Sequence, residues 1–290
     1  MVFQPLYQRI VVSYCGKPAT KKYSGFIIGR NEVAVNISYV YMSVADEALI
    51  NCMLIAQTSE SVLGFAGVGK VIGIGLNVSD VREGDKVIVY ADNSGVAQSI
   101  HIADRRGLIP FNAKGFNDLE ALVIAVFSVS KDIVESVKGA NVLIVGKDLS
   151  IIPFALESQL NSSKMYTMPG YTLWPDIVKG EHVSVYDTSP LYDVAVVATY
   201  DPLVLSLVSR MAREGATIIL HPLLMPLAKF MEFKSSSNIS LKSMKFGDIG
   251  NGIQVYEKLK EVVNSRIKPL DILTYLEKPT HPAAVALQSS

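Results

Sequence analysis

The sequence predicts an α/β protein with two domains, a β-rich domain followed by a doubly wound parallel sheet. Up to about Phe111, short alternating apolar runs lie between turn residues, which is typical of β-strands. From about Asp118 onward, short apolar runs alternate with segments of helical periodicity, which is typical of parallel strands joined by helices. The length of 290 residues is sufficient for two domains of ordinary size.

The first half of the chain is predicted to be β. Turn residues such as Cys15–Pro18 separate the runs, and the glycines of 64–75 recur within a β-like pattern, which indicates close backbone approach rather than a phosphate loop. The predicted strands are Arg9–Tyr14, Gly25–Ile28, Glu32–Ile37, and a strand that follows the turn Glu83–Asp85.

The second half of the chain is predicted to alternate between strands and helices. In such a pattern, each helix joins two parallel strands by a right-handed crossover and packs on one face of the sheet. The strands are therefore expected to form a parallel sheet with helices on both faces. The predicted helices are Leu119–Val137, one after Asp148, Pro202–Arg213 and Ile253–Ser265; the predicted strands are Val142–Val145, Lys164–Met168, Asp193–Thr199, Ala216–Leu220, Asn238–Met244 and Asp271–Leu276.

Composition argues against several classes of partner. Lys plus Arg and Asp plus Glu are balanced at 27 each, so net charge does not favour nucleic acid or a membrane surface. No apolar run reaches the roughly 18 residues that a membrane span needs, and the N-terminus lacks the pattern of a signal peptide. The two cysteines, Cys15 and Cys52, are not in a C-x-x-C pair, so we expect neither a disulfide framework nor a thiolate zinc cluster, and we predict a cytoplasmic location.

The apolar run Val142–Val145 leads into the turn Gly146-Lys147-Asp148, where dinucleotide-binding proteins carry G-x-G-x-x-G. Only the first glycine is present; the second position is Asp148 and the third is Ile151. A carboxylate about 4 Å from a phosphate costs on the order of 4 kcal/mol at an effective dielectric of about 20. Conventional binding of a pyrophosphate at this turn is therefore predicted to be impaired.

The order of segments resembles the medium-chain dehydrogenase/reductase superfamily over nearly the whole chain. The segment 64–71 with 81–87 is similar to the family's G-H-E-x-x-G-x-V and its later G-D-r-V turn, and 137–146 is similar to the family's lead into the nucleotide turn. The resemblance implies a GroES-like β-rich catalytic-type domain, residues 1–115 with 267–290, and a Rossmann-like domain, residues 116–266.

The positions that bind catalytic zinc in this family are occupied here by other residue types. The first ligand position aligns with Ser43, and the His and Glu of G-H-E are Phe65 and Ala66. A hydroxyl, a phenyl ring and a methyl group are not a zinc site. We therefore predict no zinc and no other bound metal.

The resemblance extends to the zinc-free quinone reductase-like branch, which has a polar residue followed three positions later by Asp. It implies an active-site floor formed by Tyr41, Ser43 and Asp46, with the nicotinamide supplying the hydride. The alternative is that Ser43 caps a short helix, Val44–Leu49, with Asp46 in its first turn. Both interpretations remain open from the sequence.

For the cofactor, NADP or NAD, we predict contacts from the turn and from the ends of neighbouring strands. The candidates are Gly146, Ser150, Lys164 and Thr199. No carboxylate stands at the end of Lys164–Met168 to hold the ribose, whereas Lys164 could meet an NADP phosphate; Ser150 could instead cap the following helix.

Two functions are compatible with these residues. One is an alcohol dehydrogenase-like, zinc-independent oxidoreductase with an impaired or altered cofactor site, which acts on a small carbonyl, enone or quinone between the domains. The other is a non-catalytic descendant that binds a ligand or serves in assembly. The resemblance also implies a homodimer through the sheet edge near Ile239–Met244.

Overall fold

The structure is a computed structural model, which describes residues 6–12, 16–52, 60–92, 95–184, 186, 189–225 and 238–287. The chain forms two compact units, Met1–Ala125 with Leu259–Ser290, and Val126–Lys258. The boundaries predicted at 115 and 267 thus differ from the observed ones by about ten residues. Across the described part of the chain, no helix is both long and apolar enough to cross a membrane.

The strands and helices have the following bounds. The strands are β1 (Leu6–Val12), β2 (Ala19–Ser24), β3 (Glu32–Met42), β4 (Ser61–Val62), β5 (Ala66–Ile74), β6 (Lys86–Tyr90), β7 (Ile100–Asp104), β8 (Leu108–Pro110), β9 (Asn141–Gly146), β10 (Lys164–Thr172), β11 (Glu181–His182), β12 (Tyr192–Ala198), β13 (Ala212–Leu220), β14 (Ser240–Ser243), β15 (Leu270–Asp271) and β16 (Ala283–Ala286). The α-helices are α1 (Val44–Ile50), α2 (Asp118–Phe127), α3 (Lys131–Glu135), α4 (Ile152–Asn161), α5 (Pro202–Arg210), α6 (Ile249–Arg266) and α7 (Ile272–Glu277).

The first unit is built from two mainly antiparallel sheets. One has the order β2-β1-β4; the other has the order β15-β16-β3-β5-β6-β8, with β7 also pairing with β3. Gly69 of β5 is required where β3 and β5 shift register, because a Cβ there would lie 2.1 Å from the carbonyl oxygen of Asn36. This confirms the prediction that the glycine-dense segment is a strand with close backbone approach.

The second unit contains a parallel sheet with the strand order β11-β10-β9-β12-β13-β14. The central strand β9 is buried at Val142–Gly146, as its uninterrupted apolar run predicted. The order of strands reverses between β9 and β12, which is the topological switch point where α/β sheets form a crevice at their carboxyl ends. The α/β class and the doubly wound sheet are confirmed.

Three predicted elements were wrong. Residues 25–28 are not in a strand, and the segment Leu119–Val137 is two helices rather than one. The break between α2 and α3 follows from pairing, because Val129 bridges Phe246 and Ser130 N donates to the Lys245 oxygen at 2.8 Å. Helix α7 replaces most of the strand predicted at 271–276, because Asp271 caps it by accepting from Thr274 N at 2.9 Å.

The prediction for the cysteines was also wrong. Cys52 is disulfide-bonded and exposed. The sequence contains one other cysteine, Cys15, which lies outside the described residues. Because disulfides persist mainly in oxidising environments, the cysteines no longer support the prediction of a cytoplasmic location.

Candidate functional site

The turn after β9 keeps the first glycine of the dinucleotide fingerprint for a steric reason. Gly146 has a φ of +151°, and a Cβ on it would lie 2.4 Å from the carbonyl oxygen of Ala198 in β12. Its own carbonyl oxygen accepts from Leu173 N at 2.8 Å. Gly146 therefore brings β9 and β12 close together at the switch point, as the first glycine of the fingerprint does.

The second position of the fingerprint holds a fully buried carboxylate. Asp148 caps the single 3₁₀ turn Leu149–Ile151 that precedes α4, and its Oδ1 accepts from Ser150 N at 2.9 Å. Its carbonyl oxygen accepts from Ile151 N at 3.3 Å. The N–H groups of Ser150 and Ile151 at this helix start therefore both have an acceptor within the turn.

Ser150 and Thr199 lie at the carboxyl end of the parallel sheet, as their predicted role requires. The side chain of Ser150 is buried, and its Oγ has no hydrogen-bond partner among the described residues. Asp148, rather than Ser150, is the cap of this turn. Thr199 directly follows β12, and its Oγ1 accepts from Asp201 N at 3.4 Å. Contact of either residue with a cofactor remains a prediction.

Lys164 lies at the amino end of the parallel strands, whereas Gly146 lies at their carboxyl end. It begins β10 and pairs in register with Asn141, the first residue of β9. Five residues of strand, about 16 Å, separate this register position from Gly146 at the carboxyl end of β9. The exposed Lys164 ammonium is 3.4 Å from the Glu181 carboxylate. Contact of Lys164 with an NADP phosphate remains a prediction.

Strand β10 extends to Thr172, four residues further than predicted, with an irregular register between Thr167 and Thr172. Its carboxyl end therefore carries Tyr171, whose hydroxyl donates to Asp201 Oδ2 at 3.2 Å. The negative charge of Asp201 raises the pKa of Tyr171. A carboxylate is thus present near the end of β10, but it comes from the residue that caps α5.

His221 is a site residue that the sequence analysis did not identify. It follows β13 at the carboxyl end of the sheet and is fully buried, with its ring 5.8 Å from that of Phe246. Burial lowers the pKa of His221, and the charge of Asp148 acts in the opposite direction. His221 therefore lies close enough to Asp148 for their charges to interact. In the sequence, the signal that could have indicated this residue is its position directly after the apolar strand that ends at Leu220.

Ser43 and Asp46 form a capping box at the start of α1. Asp46 Oδ2 accepts from Ser43 N at 2.6 Å and from Ser43 Oγ at 3.1 Å, while Oδ1 accepts from Gly64 N at 2.6 Å. Ser43 Oγ in turn accepts from Ala45 N at 3.1 Å. The capping interpretation is confirmed. Tyr41 is buried in β3 nearby in sequence, and a catalytic role for the three residues remains a prediction.

A groove of about 540 Å³ lies in the first unit, within the usual range for small-molecule sites. Its lining includes Tyr90, His101, Ile102 and Arg106. Burial lowers the pKa of His101 to about 4, and its Nδ1 is 2.7 Å from the amide nitrogen of Gln98. Because that amide is a donor, His101 is neutral with its proton on Nε2.

The described residues of this site are suited neither to a metal ion nor to a pyrophosphate in the usual position. Among the residues that the structure describes, no group of three or more His, Cys, Asp or Glu side chains could hold a metal ion. The α4 turn does not fit a pyrophosphate in the usual position, because a buried carboxylate already accepts from its N–H group.

No protein-family model matches the chain, and no curated protein matches it. Solved structures with a similar fold include acetophenone reductase from Geotrichum candidum in complex with NAD, with a TM-score of 0.67, 15% identity and coverage of 97% of this chain and 96% of that one. CAD from Helicobacter pylori complexed with NADP(H) has a TM-score of 0.66, 13% identity and 99% coverage of both chains. A zinc-binding dehydrogenase from Sinorhizobium meliloti bound to NADP has a TM-score of 0.64, 10% identity, and coverage of 97% and 99%.

Proposed function

The chain has the fold of medium-chain dehydrogenases and reductases, and from this premise we propose that it is an alcohol dehydrogenase-like, zinc-independent oxidoreductase with an altered cofactor site. Its reaction would be hydride transfer between NADP(H) or NAD(H) and a small carbonyl, enone or quinone. The nicotinamide supplies the hydride in such enzymes, and the protein orients the reactants.

The observation that carries this proposal is the topological switch point between β9 and β12, at the carboxyl end of the parallel sheet. Gly146 keeps the close approach of these strands that a dinucleotide-binding sheet requires. Three solved structures with this fold are complexes with NAD or NADP. The cofactor site is altered at its centre, because Asp148 stands where a phosphate would rest.

A second candidate function is a non-catalytic protein that binds a small ligand. It is favoured by the two carboxylates at the predicted catalytic and cofactor positions, Asp46 and Asp148, which both accept internal backbone N–H groups. The groove beside His101 offers such a protein a site of suitable volume.

The predicted homodimer belongs to the same proposal. Strand β14 ends the parallel sheet in the described residues, so its outer edge could pair with a second copy through Ser240–Ser243. Light scattering coupled to size-exclusion chromatography would measure the mass, and a monomer at micromolar concentration would contradict this part.

Calorimetric and thermal-shift titration with NADPH and NADH tests the function, because a ligand that binds only the native state raises the melting temperature. We expect a saturable rise at submillimolar cofactor, with oxidation of NADPH in the presence of an enone, quinone or aldehyde. Binding without turnover would favour the second candidate. The absence of both a shift at millimolar cofactor and turnover would refute the oxidoreductase.

A further inference from the structure

We infer that the carboxylate of Asp148 acts as an internal anion in the place of the cofactor pyrophosphate, so that its charge lowers the affinity of this turn for dinucleotides. The inference rests on the proposed function in assuming that a dinucleotide would approach the crevice between β9 and β12. Beyond the proposed function, it names Asp148 as the residue that limits the approach of the dinucleotide.

The first argument is the hydrogen bonding of the turn. A helix start binds a phosphate through N–H groups that have no intrahelical partner. In this turn the Ser150 N–H donates to Asp148 Oδ1 at 2.9 Å, and the Ile151 N–H donates to the Asp148 carbonyl oxygen at 3.3 Å. A phosphate in the usual position would compete with the carboxylate for the Ser150 N–H group.

The second argument is burial. Asp148, Leu149, Ser150 and Ile151 are all at most 2% exposed, so the carboxylate is held inside the turn rather than turned toward solvent. The effective dielectric constant is lower there than in water, so repulsion of a second anion is stronger than it would be at the surface.

The third argument concerns His221, which is fully buried at the carboxyl end of the sheet and interacts electrostatically with Asp148. Because burial lowers the pKa of His221, this side chain is neutral at pH 7 and supplies no cation to compensate a pyrophosphate beside Asp148. The neighbouring Lys147 is exposed, and Lys164 lies at the other edge of the sheet. Asp148 is therefore the buried charged group of the turn, whereas the charge of Lys147 is screened by solvent.

The test uses two substitutions of the full chain. Asp148→Asn keeps a side-chain acceptor for the Ser150 N–H and removes the charge, whereas Asp148→Gly restores the second glycine of the fingerprint. Asp271→Asn is the matched control, because Asp271 also caps a short helix but belongs to the other unit.

We expect the dissociation constants for NADPH and NADH to fall at least tenfold in both Asp148 variants and to remain unchanged in Asp271→Asn, as measured by calorimetry. A gain in Asp148→Gly alone would overturn the electrostatic argument in favour of bulk. No gain in either folded variant would overturn the inference. Should Asp148→Asn not fold, Asp148→Ser provides a capping side chain without charge, and the same criterion applies to it.

The wild-type titration and turnover test the proposed function, whereas the ratio of variant to wild-type affinity tests this inference. A wild type without measurable binding combined with a variant that binds would support the inference while the oxidoreductase proposal fails. A wild type with micromolar affinity that Asp148→Asn leaves unchanged would overturn the inference and keep the oxidoreductase.

Discussion

Replacement of Asp46 by Ala should destabilise the β-rich unit strongly, because this carboxylate joins two parts of the chain. Its Oδ1 accepts from Gly64 N, eighteen positions along the chain, and its Oδ2 accepts from both the N–H and the hydroxyl of Ser43. These donors are buried. In the Ala variant, the backbone N–H groups of Ser43 and Gly64 both lose their acceptor.

The magnitude follows from the number of donors that lose a partner. An unsatisfied buried donor costs about 1 to 3 kcal/mol, so two of them cost about 2 to 6 kcal/mol, and we expect about 4 kcal/mol for Asp46→Ala. Asp46→Asn retains one acceptor oxygen and should cost about half as much. Ser43→Ala removes the cap alone and should cost about 1 kcal/mol.

Urea unfolding followed by circular dichroism measures these differences in the free energy of unfolding. Asp104→Ala is a control, because this exposed carboxylate pairs mainly with the neighbouring Arg106, and it should cost less than about 1 kcal/mol. The fluorescence of Trp174, the sole tryptophan and a residue of the other unit, reports whether that unit is affected.

A value for Asp46→Ala within about 1 kcal/mol of wild type would refute the structural argument. In that case a loss of turnover at unchanged stability would support the catalytic interpretation of Tyr41, Ser43 and Asp46.

Three further predictions follow from other contacts. Gly146→Ala places a Cβ 2.4 Å from the Ala198 oxygen, so it should lower the free energy of unfolding by at least about 2 kcal/mol, as measured by urea titration. Burial lowers the pKa of His101 to about 4, so the neutral form stabilises the folded state fully above about pH 6.5, and the free energy of unfolding should fall by up to about 3 kcal/mol as the pH drops toward 4. His101→Gln should flatten this pH dependence of the free energy of unfolding, and an unchanged slope in the variant would contradict the prediction. Reduction and alkylation of Cys52 should lower the melting temperature, because a disulfide restrains the unfolded chain and typically contributes about 2 to 4 kcal/mol; free thiols in the unreduced protein would contradict this prediction.

The sequence by itself determined the class of fold and the order of the parallel-sheet elements. Apolar runs such as Val142–Val145 can be placed only where both faces of a strand are buried, and helical periodicity between them indicates crossovers. Ser43 and Asp46, at the spacing of a capping box, suggested the start of α1. Such local patterns depend on neighbours within a few residues, so they can be recognised from the sequence alone.

Only the tertiary structure decided what the site residues contact. It brought Gly64 to Asp46 and His221 to Asp148, and it placed Lys164 at the amino end of the sheet. These contacts join residues that are far apart in the sequence, and they depend on strand register and on the crossing of loops. A capped turn and a phosphate-binding turn have nearly the same local pattern; they differ in which acceptor reaches the N–H groups, and that is determined by packing.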